Sequence, residues 1–179
     1  MAELRSAKDT LHRWYALTDA SVESLNRGHD RRAKSYAEEL EQLTPRYMGS
    51  ENYGSSVGRT PLKTGFRGNW NCGNAIQSYN IVFGRLALKS GDVETAKKYL
   101  LAAGHSPGSP QMDSGGPNMS LAKALLAKGE KAVVLDYIEL CRRFWECDGH
   151  CHDNPGQLNR WKADIKANRV PDFGLNLDR

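Results

Sequence analysis

Apolar residues recur at steps of three and four along most of this chain, the spacing that lines one face of a helix. A first stripe runs from about Leu4 to Leu25 through Ala7, Leu11, Trp14 or Tyr15, Thr18 and Val22, and stops at Asn26-Arg27-Gly28. A second predicted helix starts from Asp30 as N-cap and carries Ala33, Tyr36, Ala37, Leu40 and Leu43. It ends at Thr44-Pro45, because proline restricts the residue before it and donates no hydrogen bond. Two more predicted helices, about Asn74 to Lys89 and Val93 to Ala103, flank Ser90-Gly91-Asp92. Asn118 or Ser120 is the expected cap of a helix through Ala127, and Gly129 turns the chain into another from Glu130 to Trp145. A last helix bearing Leu158, Trp161 and Ile165 opens on Asn154-Pro155 and closes at Val170-Pro171. Period-two stretches rich in β-branched residues are missing, so the expected fold class is all-α.

Two segments interrupt this pattern. Arg46 to Gly73 holds six glycines, with Tyr47, Tyr53, Phe66 and Trp70 among four basic residues and the single acid Glu51. Gly104 to Pro117 carries Pro107, Pro110, Gly115 and Gly116. Both read as long loops, of a length that in compact domains usually marks function or disorder.

The three predicted turns share a register. Gly28, Gly91 and Gly129 are each followed five residues later by Ala33, Ala96 and Val134, and four further on by Ala37, Leu100 and Ile138. Seven residues before each glycine stand Ser21, Gly84 and Ala122, small enough to let two helices approach closely. With Phe83-Gly84, Ala87, Gly91, Ala96 and Leu100 on its characteristic positions, the stretch Ile76 to Ala103 resembles the tetratricopeptide-repeat family. Ser120 to Phe144 resembles it less closely, and Pro45 stands where the family's closing proline belongs. The turn glycines lie 63 and 38 residues apart, against the family's period of about 34, so both loops read as insertions. With Pro117-Asn118-Met119, Cys141-Arg142-Arg143-Phe144-Trp145 and Pro171-Asp172-Phe173, the stretch Gly104 to Asp172 is also similar to small bacterial proteins of this repeat type.

The resemblance implies one domain over residues 1–179, with about three stacked antiparallel hairpins and a C-terminal helix. A single hairpin cannot bury its apolar stripe, whereas stacked hairpins share a core. A stack with a concave face and a closed bundle both satisfy that requirement. The family's function implies a non-catalytic protein- or peptide-binding adaptor, with a groove lined by the first helices of the second and third hairpins and contacts one residue after the small position of each. Those positions are Arg85 and Lys123, with Ser78 and Ser120 as hydrogen-bonding neighbours and Asn74, Gln77 and Asn80 as further polar groups. Two cations one repeat apart favour an acidic peptide or a terminal carboxylate, through charge-assisted hydrogen bonds. Ile81 and Met119 stand where the family's carboxylate clamp has a lysine or asparagine.

Composition narrows the picture only slightly. The 25 basic and 21 acidic side chains give a net charge of +4, which falls short of a dedicated nucleic-acid binder. The basic aromatic segment 46–73 nevertheless leaves phosphate pairing and base stacking as an alternative. No apolar run suits a membrane span, and the first residues lack an apolar signal core, so a cytoplasmic location is expected. The four cysteines, Cys72, Cys141, Cys147 and Cys151, read as thiols. Cys147, His150, Cys151 and His152 are the densest metal-capable group and leave a zinc or thiol site over 147–153 as a second alternative. Structural zinc usually draws ligand pairs from separated segments, so the expectation is no structural metal and no cofactor. Asp172-Phe173-Gly174 spells a kinase tripeptide without the motifs that accompany it, and no phosphate-loop or dinucleotide fingerprint occurs. No catalytic residue is expected, and the chain reads as a non-enzyme.

Overall fold

The computed structural model describes residues 9–49, 68–145 and 156–177. Helices α1 (Thr10–Asn26) and α2 (Asp30–Leu43) are followed by a 3-10 turn at Thr44–Tyr47. Next come α3 (Asn71–Lys89), α4 (Val93–Gly104) and the short α5 (Pro110–Gly115). The chain continues as α6 (Ser120–Leu126), α7 (Lys131–Trp145) and α8 (Gln157–Lys166), and ends in a 3-10 turn at Gly174–Leu177. Among the described residues there is no strand.

The three turns have one geometry, set by backbone hydrogen bonds. At the first, Gly28 N–H donates to Leu25 O and His29 N–H to Ser24 O, at 3.0 and 2.9 Å. Gly91 and Asp92 bond Leu88 and Ala87 in the same way, and Gly129 and Glu130 bond Leu126 and Leu125. This is the Schellman closure, which satisfies the last helical carbonyls and needs a left-handed residue after the cap. Gly28, Gly91 and Gly129 supply it, with φ of 76°, 88° and 86°. The end of α8 repeats the pattern: Asn168, at φ 60°, bonds Ile165 O, and Arg169 N–H bonds Asp164 O. Sequence reading missed this fourth turn, because it sought glycine and asparagine also tolerates the left-handed region.

The pairs α1–α2, α3–α4 and α6–α7 are connected antiparallel neighbours, and the α3–α4 pair touches both others. Small residues make the contacts close. Ala33, Ala37 and Ala96 are fully buried, and a Cβ on Gly84 would lie 2.2 Å from Leu121 Cδ2 and 3.1 Å from Tyr99 Cβ. Two smaller clusters hold the first pair to α3: Trp14, Leu17 and Leu40 around Cys72 and Ala75, then Val22, Leu25 and the α2 alanines around Val82. The largest cluster joins α3, α4, α6, α7 and α8 with Phe173.

Several element ends differ from the sequence expectation. Asp9 caps α1, its carboxylate accepting His12 N–H at 2.9 Å; the expected start near Leu4 lies outside the described residues. His29 rather than Asp30 is the N-cap of α2, since the residue directly after the turn glycine opens the next helix, as Asp92 does after Gly91. Asp30 instead sits in the first turn, where the helix dipole favours an anion, and accepts Lys89 Nζ at 2.6 Å. Helix α3 begins at Asn71, so Cys72 and Gly73 belong to a helix and not to the loop. Segment 104–117 is no bare loop: Ser109 Oγ caps α5 by accepting Met112 N–H at 3.0 Å, with Pro110 at the first helical position. Met119 precedes α6 as N-cap without a side-chain bond, although Asn118 Oδ1 accepts Ser120 N–H at 2.9 Å. Gly156 is the N-cap of α8 in a left-handed conformation; the expected Asn154-Pro155 start lies outside the described residues.

Candidate functional site

A cleft of about 380 Å³ opens between α1 and α3, the first helices of consecutive pairs. Helical spacing sorts its α1 side into depth and rim. Thr18 and Val22, only 4% and 6% exposed, form the floor, while Asp19, Glu23, Asn26 and Arg27 stand around its mouth. Ser78 faces them from α3. The cleft exists because threonine, valine and serine are too short to fill the space between the two helices. Thr18 is already engaged, its hydroxyl donating to Trp14 O at 3.2 Å and accepting from Asn71 Nδ2 at 3.2 Å. On the rim, Arg27 Nη2 donates to Glu23 Oε1 at 2.6 Å, one helical turn away, with side chains 62% and 43% exposed.

Of the seven residues singled out from the sequence, the cleft takes Ser78 alone. Arg85 reaches its end indirectly: Nη1 donates to Asn26 Oδ1 at 2.6 Å and so ties α3 to α1. Lys123 is exposed on α6 and does not line the cleft. Of the remaining four, Gln77, Ser120 and Asn74 tie segments of the chain together. Gln77 Oε1 accepts Asn118 N–H at 2.9 Å, and its Nε2 donates to the Tyr137 hydroxyl at 3.3 Å. That hydroxyl donates in turn to Asn118 O at 2.8 Å, and Ser120 Oγ donates to Asn118 Oδ1 at 2.6 Å, so α3, α6 and α7 share one polar node. Burial holds the Tyr137 phenol well above its ordinary value, so it stays a donor. Asn74 Oδ1 accepts Ser109 Oγ at 2.5 Å and docks the α5 segment, while Asn80 Nδ2 donates to Ile76 O within its own helix at 2.8 Å.

The other chemistry considered from the sequence is distributed as follows. The Cys147–Asp153 cluster and most of the basic aromatic segment lie outside the described residues, including Tyr53, Arg59, Lys63, Phe66 and Arg67. Tyr47, from the same segment, stacks on Trp14 with ring centroids 4.3 Å apart, and its carbonyl accepts the Cys72 thiol at 3.2 Å. Cys72 and Cys141 are buried thiols, and burial pushes Cys72 up to about 12. Among the described residues no three His, Cys, Asp or Glu side chains converge on one metal position, and no helix is long and apolar enough to cross a membrane. Phe173 of the kinase-like tripeptide is 2% exposed and packs edge-on against Trp161.

Sequence reasoning missed the rim. Asp19, Glu23 and Arg27 recur at a spacing of four on α1, a pattern indistinguishable from an ordinary solvated helix face until α3 is set beside it. No family model, curated protein or solved structure matches this chain.

Proposed function

We propose that this protein is a tetratricopeptide-like stack of three helical hairpins closed by α8, and that it acts as a non-catalytic module binding a protein or peptide through the α1–α3 cleft. The observation that carries this reading is the cleft itself, which lies between the first helices of two pairs joined by matching turns. In a helical stack, repetition at a small fixed rotation makes those first helices line one face, which is where such scaffolds bind extended segments. The volume is at the small end of ligand sites, about 300 to 1,000 Å³, so one or two side chains of a partner fill it.

Filling the cleft from within tests the proposal. Ser78→Phe places a ring in the space a partner side chain would enter while leaving the buried clusters of the stack intact. Quantitative affinity capture from cell extract should recover a partner with wild-type protein and lose it with Ser78→Phe at unchanged helicity. Equal recovery by both proteins would move the binding face elsewhere.

A further inference from the structure

We propose that the groove under the C-terminal segment 171–177 is a second peptide site, filled in cis by that segment, and that the same segment of a second copy fills it in trans. The product is a dimer formed by exchange of the segment. It involves a different face from the α1–α3 cleft and does not depend on binding there.

The groove recognises its occupant by side chain. Asn176 Nδ2 donates to Gly115 O at 2.8 Å and to Pro117 O at 2.9 Å, which uses both hydrogens of the carboxamide nitrogen. Gly116, between those two carbonyls, has φ 80° and ψ 178°, a backbone region essentially reserved for glycine. A Cβ there would lie 2.5 Å from the Trp145 ring and 2.7 Å from Asn176 Nδ2, so the carboxamide sits where any other residue would place its side chain. Met119 N–H adds a bond to Asn176 O at 2.7 Å. Three residues earlier, Phe173 is 2% exposed and stands edge-on to Trp161, whose Nε1 donates to Asp172 O at 2.9 Å. An aromatic ring followed three residues later by asparagine is therefore what the site selects, and every copy of the chain carries that pattern on this segment.

The connection from α8 to the segment is built to open. Residues 166–170 are all exposed, and only Arg169 and Val170 separate the closure of α8 from the buried Pro171. That closure rests on Asn168 at φ 60°, the one non-glycine with positive φ among the described residues, where the other three turns use glycine. Asparagine enters this region less readily than glycine, so of the four closures this one opens most easily. Val170 is apolar yet 59% exposed. When two copies exchange segments, their hinges pass beside each other and each Val170 is covered by the other copy. Every contact of the segment is kept, so the balance between cis and trans is set by the hinge and by protein concentration, against an effective concentration in cis on the order of millimolar.

Light scattering on dilution series of the full chain, equilibrated at each concentration, tests the hinge. Asn168→Ala and Asn168→Gly both lose the bond from Lys131, so their difference isolates the backbone requirement at that position. Asn168→Ala should dimerise at a midpoint concentration about tenfold or more below that of Asn168→Gly, because alanine bears the cost of the left-handed turn and glycine does not. Equal midpoints, or no dimer from either variant, overturn the exchange. A mixing experiment tests the groove. Asn176→Ala weakens the segment and leaves the groove intact, and Gly116→Ala does the reverse, so only a mixed dimer contains one complete contact. Native mass spectrometry of the mixture should show heterodimer in excess of random pairing. A random distribution places the dimer contact elsewhere and overturns the proposal. Should Gly116→Ala fail to fold, the two Asn168 variants decide the matter alone.

Discussion

Gly73 and Gly84 are both small for the sake of a neighbour, but the neighbours yield differently. A Cβ on Gly84 would lie 2.2 Å from the end of the Leu121 side chain, which can give way by a change of rotamer. A Cβ on Gly73 would lie 1.8 Å from the backbone carbonyl oxygen of Gly108, which moves only if the 104–109 segment moves. In either helix position alanine gains up to about 1 kcal/mol of propensity over glycine, while overpacking costs about 1 to 3 kcal/mol. Gly84→Ala should therefore be nearly neutral to mildly destabilising, Gly84→Leu clearly destabilising, and Gly73→Ala worse than Gly84→Ala. Urea midpoints rank the three, and a Gly73→Ala protein as stable as wild type would contradict the contact with Gly108. The buried thiols give a second test at this scale. With Cys72 raised from an ordinary value of 9.0 to about 12, the native thiol keeps its proton where the unfolded chain loses one. The native state binds more protons in that window, so this contribution to stability is intact below about pH 9 and declines as pH rises towards 12. At pH 8 an alkylating reagent should label Cys72 and Cys141 only after unfolding, as peptide mapping would reveal; prompt labelling of native Cys72 would show that it is accessible.

At the level of single elements, the turn glycines differ from the packing glycines in what they need. No atom lies within 4 Å of a Cβ built on Gly28, Gly91 or Gly129, so space is not the constraint. Their left-handed φ is, and it costs an ordinary residue about 1 to 2 kcal/mol. Alanine at each of the three should lower stability by about that amount and by similar amounts, since the three Schellman closures match. Thermal denaturation of the three single variants checks this; one turn tolerating alanine freely would show that its closure is not maintained. Asn168, which occupies the equivalent place after α8, also accepts a hydrogen bond from Lys131 at the start of α7, so its replacement by alanine adds a lost tether to the lost turn.

Across the whole molecule, the C-terminal segment acts as a strap. Trp161 Nε1 donates to Asp172 O at 2.9 Å, and Phe173 stands edge-on to Trp161, which itself lies 5.2 Å from Trp145 between ring centroids. Asn176 completes the attachment: Nδ2 donates to Gly115 O and Pro117 O at 2.8 and 2.9 Å, and its carbonyl accepts Met119 N–H at 2.7 Å. The strap thus covers the α7–α8 seam and pins the start of α6. Phe173→Ala should cost about 3 to 5 kcal/mol, as other truncations of buried aromatics do. Tryptophan emission should shift to the red as Trp161 and Trp145 gain water. A variant with wild-type emission and stability would show that the segment is dispensable to the fold.

Local regularities in the chain were sufficient for the longer helices and for the three glycine turns. The three-and-four spacing set the helices, and the glycine register from Gly28 through Gly129 marked the turns, because both depend on residues within one or two helical turns of each other. Short elements escaped that logic: α5 is too brief to show a period, and the start of α3 was hidden among the glycines and asparagines before Asn74. The cleft and the polar node needed tertiary structure. Gln77 meets Asn118 across 41 positions and Ser78 faces Asp19 and Glu23 from another helix, pairings that no local spacing encodes. Gln77 and Ser78 are adjacent polar residues on one helix, and sequence treated them alike as groove candidates. Only the packing of α3 between the first and third pairs turns Gln77 inward to the node and Ser78 outward to the cleft, because neighbouring helical positions point about 100° apart.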